Sequence, residues 1–137
     1  MLSSMSEIAE FVRHRASLVT PRVVEKVLSN LPLLKAEFTQ IDAPEYPHLV
    51  DQLEFLADVV EDFFDGELVD LPYSTAAAAT FALIYAHQMI DLIPDSAKDG
   101  RADDSAVVRA VLTLHEKPLA AAAEKLGVNW NAIAHRP

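Results

Sequence analysis

The chain contains no cysteine, which excludes disulfide staples, thiolate nucleophiles and thiolate metal sites. Glycine is almost as scarce, at 3 residues in 137. Loops that cradle phosphates on backbone amides depend on glycine, and neither such a loop nor a Gly-x-Ser-x-Gly elbow occurs. Cations are few: 11 Lys and Arg stand against 21 Asp and Glu, a net charge of −10. Duplex nucleic acid and anionic lipid both draw affinity from Lys and Arg, so neither is an expected partner. Long apolar runs are missing as well. The most apolar stretch, AAAATFALIYA from Ala76 to Ala86, is about half of the roughly 20 residues that a membrane span requires, so no transmembrane segment is expected. The opening MLSSMSEIAEFVRHR carries Glu7 and Glu10 early and has no apolar core of a signal peptide. A cytoplasmic location is the expectation, and a cysteine-free chain suits that reducing compartment.

Hydrophobic residues make up 51% of the chain, more than disorder tolerates, and the length suits one domain with one core. Ser4 and Glu7 stand at capping-box spacing before Ile8, Phe11 and Val12, predicting a first helix from there to about Val19. Thr20-Pro21 supplies an N-cap and a proline at the first helical position before Val23, Val24, Val27 and Leu28. Asn30-Leu31-Pro32 reads as a break. Leu33, Leu34, Glu37, Phe38 and Ile41 then predict a short helix, closed by DAPEYP. From about Pro47 to Asp65, Leu49, Leu53, Leu56, Val60 and Phe63 recur in alternating steps of four and three, with Gly66 placed to end the helix in a left-handed conformation. A helix capped by Ser74 or Thr75 and running to about Gln88 is apolar on nearly every side, as expected of an element surrounded by others. Val107, Val108, Val111, Leu112 and Leu114 mark the next, which Pro118 is expected to interrupt. PLAAAAEKLG ends at Gly127, with one or two turns after it. No strand pattern is present. The expected fold is all-α: a single-domain helical bundle of five to seven helices with a central alanine-rich helix.

Between the two apolar helices lies IDLIPDSAKDGRADDSAVV, Ile90 to Val108. Tyr85, Asp91-Leu92-Ile93-Pro94-Asp95, Gly100, Asp103-Asp104 and Val107-Val108 together resemble the YkvA-like family of bacterial helical domains. The resemblance spans about Tyr73 to Leu112 and implies a helical segment with an Asp-Leu-Ile-Pro-Asp loop. It implies no reaction, since the family's function is not known. The chain departs from the family pattern twice: Met89-Ile90 stands where Ser-Pro is usual, and the polar span SAKDGRA replaces an apolar one.

Two accounts of this acidic stretch follow from its chemistry. In the first, Asp91 stops one helix, Pro94 forbids its continuation, and Asp103 or Asp104 accepts backbone N–H bonds at the start of the next. Asp91, Pro94, Asp95, Gly100, Asp103 and Asp104 then form a structural or binding motif. In the alternative, His87 and Asp91, one helical turn apart, converge with Asp95, Asp103 and Asp104 on a divalent metal ion. No EF-hand or His-Glu-x-x-His spacing accompanies them.

Elsewhere, Glu54, Asp58, Glu61, Asp62 and Asp65 read as a solvated helix face, because the Glu-x-x-His pairs of a di-metal bundle are absent. Five histidines, His14, His48, His87, His115 and His135, are scattered, and His115 falls at the edge of an apolar stripe, where a hydrogen-bonded boundary role is expected. Ala123, Leu126, Gly127, Val128 and Ile133 have helix-turn-helix spacing, but the second helix would end almost at once and carries only Arg136 as a permanent cation, favouring a plain C-terminal hairpin over DNA binding. The sequence therefore points to a non-enzymatic interaction or regulatory module with no catalytic residue and no cofactor, bound to a protein partner or to a second copy of itself. A metal-binding protein or metal-dependent enzyme centred on the aspartates is the competing class.

Overall fold

The computed structural model describes residues 5–41, 46–92 and 102–134, and side chains within 6–41, 46–87 and 104–134. These form α1 (Met5–Ala16), α2 (Pro21–Ser29), α3 (Leu31–Thr39), α4 (Leu49–Phe64), α5 (Tyr73–Leu92), α6 (Ala102–Leu114), α7 (Glu116–Leu126) and α8 (Trp130–Ala134). The protein is all-α, and the eight helices among the described residues exceed the five to seven expected. The extra one is α8, five residues long, started by the Asn129 side chain accepting the Asn131 N–H at 3.1 Å. No helix among the described residues is long and apolar enough to cross a membrane.

Local chemistry sets several of the ends. Thr20 is extended, and its hydroxyl accepts the Val23 N–H at 3.3 Å, so α2 begins where the Thr-Pro pair predicts. Gly66 and Gly127 are left-handed, at φ 82° and 74°, and close α4 and α7. Prolines mislead elsewhere. Pro32 and Pro118 do not break helices; each lies in the first turn of α3 or α7, where a missing N–H costs nothing because the first intrahelical donors are Leu34 and Leu119. The break at Asn30 lies within the expected Asn30-Leu31-Pro32, whereas the other falls at His115, three residues before Pro118. Ser4 lies outside the described residues, and α1 ends at Ala16 rather than Val19.

The alanine-rich helix α5 is the hub, packing against α1, α2, α3, α4 and α6. Ala76, Ala77, Ala78, Ala79, Ala82 and Ala86 are all buried, and their small side chains let neighbouring backbones approach. Larger groups fill what remains: Leu53, Leu56, Val59 and Val60 from α4, and Val107, Val108 and Val111 from α6, are fully buried. Phe11, Phe81 and Tyr85 form a three-ring cluster between α1 and α5, with centroids 5.8–6.0 Å apart in tilted or edge-on pairs. Tyr85, one of the residues behind the YkvA-like resemblance, is thus a packing residue.

Ser74 and Thr75 do not cap α5. Pro72 supplies the carbonyl that receives the first N–H bonds, at 3.0 and 3.3 Å from Thr75 and Ala76. Thr75 is fully buried inside the first turn. At its other end α5 runs on to Leu92, past the expected stop at Gln88.

Candidate functional site

The expected Asp-rich motif divides between described and undescribed residues. Pro94, Asp95 and Gly100 lie outside the described residues. Asp91 falls in the last turn of α5, one residue before its end, and Asp103 falls in the first turn of α6; the side chains of both lie outside the described set. Asp104 is inside the first turn of α6 and has no solvent exposure. A carboxylate there faces the positive end of the helix dipole. Among the described residues no group of three or more His, Asp or Glu side chains is placed to hold a metal ion.

His87, the remaining member of the alternative metal set, is turned toward another helix. Its Nδ1 lies 3.1 Å from the Glu37 carboxylate of α3, a pair that bridges α3 and α5. The pair stands at one end of an open groove of about 560 Å³. Val23, Lys26 and Val27 of α2 form one wall, with Asn30 at its end. Leu33, Leu34 and Glu37 of α3 form the opposite wall, and Ile84 and His87 of α5 form the floor. Val27 and Leu34 are buried, whereas Leu33 is 69% exposed at the rim. Asn30 separates α2 from α3, and its amide donates to the Lys26 carbonyl at 3.0 Å, securing the last turn of α2.

Comparison of the chain with family models, with curated proteins and with solved structures finds no match.

Groove chemistry is mainly apolar, with one ammonium, Lys26, and one carboxylate–imidazole pair at the margins. A histidine whose Nδ1 meets a carboxylate has a fixed ring orientation. Among the described residues, no hydroxyl or thiol side chain lines the groove. The acidic stripe on α4 behaves as expected of a solvated face: Glu61 and Asp65 are exposed, and Glu54, Asp58 and Asp62 are partly so. Lys35 of α3 reaches across to it, 2.9 Å from Asp58 and 3.5 Å from Glu61. The hydrogen bond to Asp58 is the main cause that raises the Lys35 pKa, working against burial.

One polar residue that sequence reasoning missed is buried elsewhere. Gln52 of α4 donates its amide to the Ile133 carbonyl at 2.9 Å, fastening α8 to the core. A signal for it existed: Gln52 is three residues after Leu49 and four before Leu56, hence on the apolar face. The Glu37–His87 pair had no such signal, because fifty residues separate its members.

Proposed function

We propose that the chain is a non-enzymatic helical interaction or regulatory module, with the α2–α3–α5 groove as its working surface. Its resemblance to YkvA-like domains then reflects a shared helical segment rather than a shared reaction. The groove carries this reading: its walls are apolar, its rim holds Leu33 at 69% exposure, and its volume of about 560 Å³ suits an apolar anchor from a partner. Lys26 and the Glu37–His87 pair supply polar contacts in the lining, which fix orientation rather than affinity. The C-terminal hairpin supports the same view, since α8 commits Ile133 to the core and is only five residues long.

The test is affinity capture with wild-type protein, with Leu33→Asp and with Leu18→Asp, a control at an exposed leucine outside the groove. The expected outcome is a protein retained by wild type and Leu18→Asp, lost with Leu33→Asp, and bound again when both components are purified. A second copy of the chain at this surface is detected as self-association that Leu33→Asp abolishes. Capture indifferent to Leu33→Asp contradicts the proposal.

A further inference from the structure

The C-terminal end of α4 breaks a local rule that α7 keeps. Both helices end in the same hydrogen-bonded motif. In α7, Val128 N–H donates to the Ala123 carbonyl at 2.8 Å and Gly127 N–H to Glu124 at 3.2 Å. In α4, Glu67 N–H donates to Asp62 at 2.9 Å and Gly66 N–H to Phe63 at 3.2 Å. An apolar contact between the residues bracketing this motif normally accompanies it, and α7 provides the apolar types Ala123 and Val128. At the equivalent places α4 has two carboxylates, Asp62 and Glu67.

These acids are also on the wrong end of the helix. The negative pole of the dipole disfavours carboxylates in the last turn, yet residues 61–70, EDFFDGELVD, hold five acids and no Lys or Arg. Burial first, and then Glu61, Asp58, Asp65 and Glu67, hold the Asp62 carboxyl above its ordinary pKa. Lys35 answers Asp58 and Glu61. Among the described residues no cation lies within ion-pair distance of Asp62, Asp65 or Glu67, and Asp70 shares a small groove with Lys125. Local rules broken without a compensating contact in the folded chain are expected where a surface serves something outside it.

The same end carries exposed apolar surface. Of five large apolar side chains exposed among the described residues, four are Leu18 (60%), Phe64 (42%), Val69 (76%) and Tyr73 (40%). The Tyr73 hydroxyl donates to the Val19 carbonyl at 2.9 Å, and its ring lies 6.3 Å from that of Phe63. These contacts bring the α1–α2 turn against the α4–α5 turn, so the four residues share one end of the bundle. Phe64, Val69 and Tyr73 lie within the acidic segment or just beyond it.

We propose that this end is a docking face for a basic amphipathic helix of a partner protein, whose apolar residues cover Phe64, Val69 and Tyr73 while its Lys or Arg residues face Asp62, Asp65 and Glu67. Charge selects that occupant: these acids, which have no ion-pair partner among the described residues, repel an acidic or anionic surface, and an apolar strip alone would leave their mutual repulsion in place. The face uses none of the residues of the α2–α3–α5 groove and stands independently of it.

The probe is a fluorescein-labelled peptide of about 18 residues, long enough for several helical turns, with Leu on one helical face and Lys on the other. A counterpart has Glu at every Lys. Fluorescence anisotropy is read with the full chain at about 50 mM and about 300 mM salt. The variants are Val69→Ser and the double variant Asp62→Asn with Glu67→Gln, each also followed by thermal unfolding. The basic peptide is expected to bind saturably and salt-sensitively, the acidic one not at all, and each variant to weaken binding by about fivefold to tenfold. The double variant should at the same time melt higher than wild type, because a like-charge pair is gone. Weaker binding by a more stable protein cannot come from loss of fold. The proposal is overturned if neither variant weakens binding, if the double variant does not melt higher, or if the acidic counterpart binds equally. Absence of saturable binding overturns it too, as does a wild-type dimer that Val69→Ser dissociates, which would give the face to a second copy of the chain.

Discussion

The Nδ1 of His115, at the junction of α6 and α7, lies 3.0 Å from the hydroxyl of Thr75, which is fully buried in the first turn of α5. Forty residues apart in sequence, the two join the start of the central helix to the junction of α6 and α7. Burial pushes the His115 pKa below its ordinary 6.5, and the Arg13 guanidinium of α1 adds to the effect.

Acidification should therefore act on this junction. A folded-state pKa below 6.5 means that the folded protein binds fewer protons here than the unfolded chain does. The His115 contribution is complete above pH 6.5 and is lost as pH falls through the folded value. Urea unfolding at about pH 7.5 and about pH 5.5 should show wild type losing more stability on acidification than His115→Gln. An equal loss in both proteins would show that His115 is not the group responsible.

Gln52 offers a local test. Gln52→Leu keeps the packing volume but leaves the Ile133 carbonyl without its 2.9 Å donor. The expected cost is about 1–3 kcal/mol. Amide exchange should quicken at α8 well before it does in the middle of α4 or α5, because α8 has only five residues and depends on this link. Uniform acceleration across the chain would argue against α8 being fastened by Gln52.

The small residues of α5 set the distance to its neighbours. Ala78 and Ala79 have no solvent exposure, so Ala78→Leu should destabilise by about 1–3 kcal/mol through overpacking, measured as a lower urea midpoint. Ser74→Leu, at an exposed position of the same helix, should change stability by less than about 0.5 kcal/mol. Similar effects at both sites would remove α5 from its central role.

Much of the fold was legible because its signals are local. The step pattern Leu49, Leu53, Leu56, Val60, Phe63 defined α4 to within about two residues, and Thr20-Pro21 and Gly66 marked ends that the structure keeps. Pro118 misplaced a break by three residues, because a proline just inside a helix and a proline after one look alike without the hydrogen-bond ladder. Thr75 misled for a related reason: a hydroxyl near a helix start suits a cap, but a distant histidine takes it instead. The groove was not legible at all. It is lined by residues of three helices, α2, α3 and α5, and its polar pair joins residues that no periodicity connects.

The central claim is that the protein works by binding along the α2–α3–α5 groove. Methyl-selective NMR of the full chain, titrated with the partner identified through Leu33-dependent capture, tests it most directly. Saturable shifts at the Val23, Val27, Leu34 and Ile84 methyls, absent in Leu33→Asp, are predicted. Shifts confined to other helices, with those four methyls unmoved, would contradict the account.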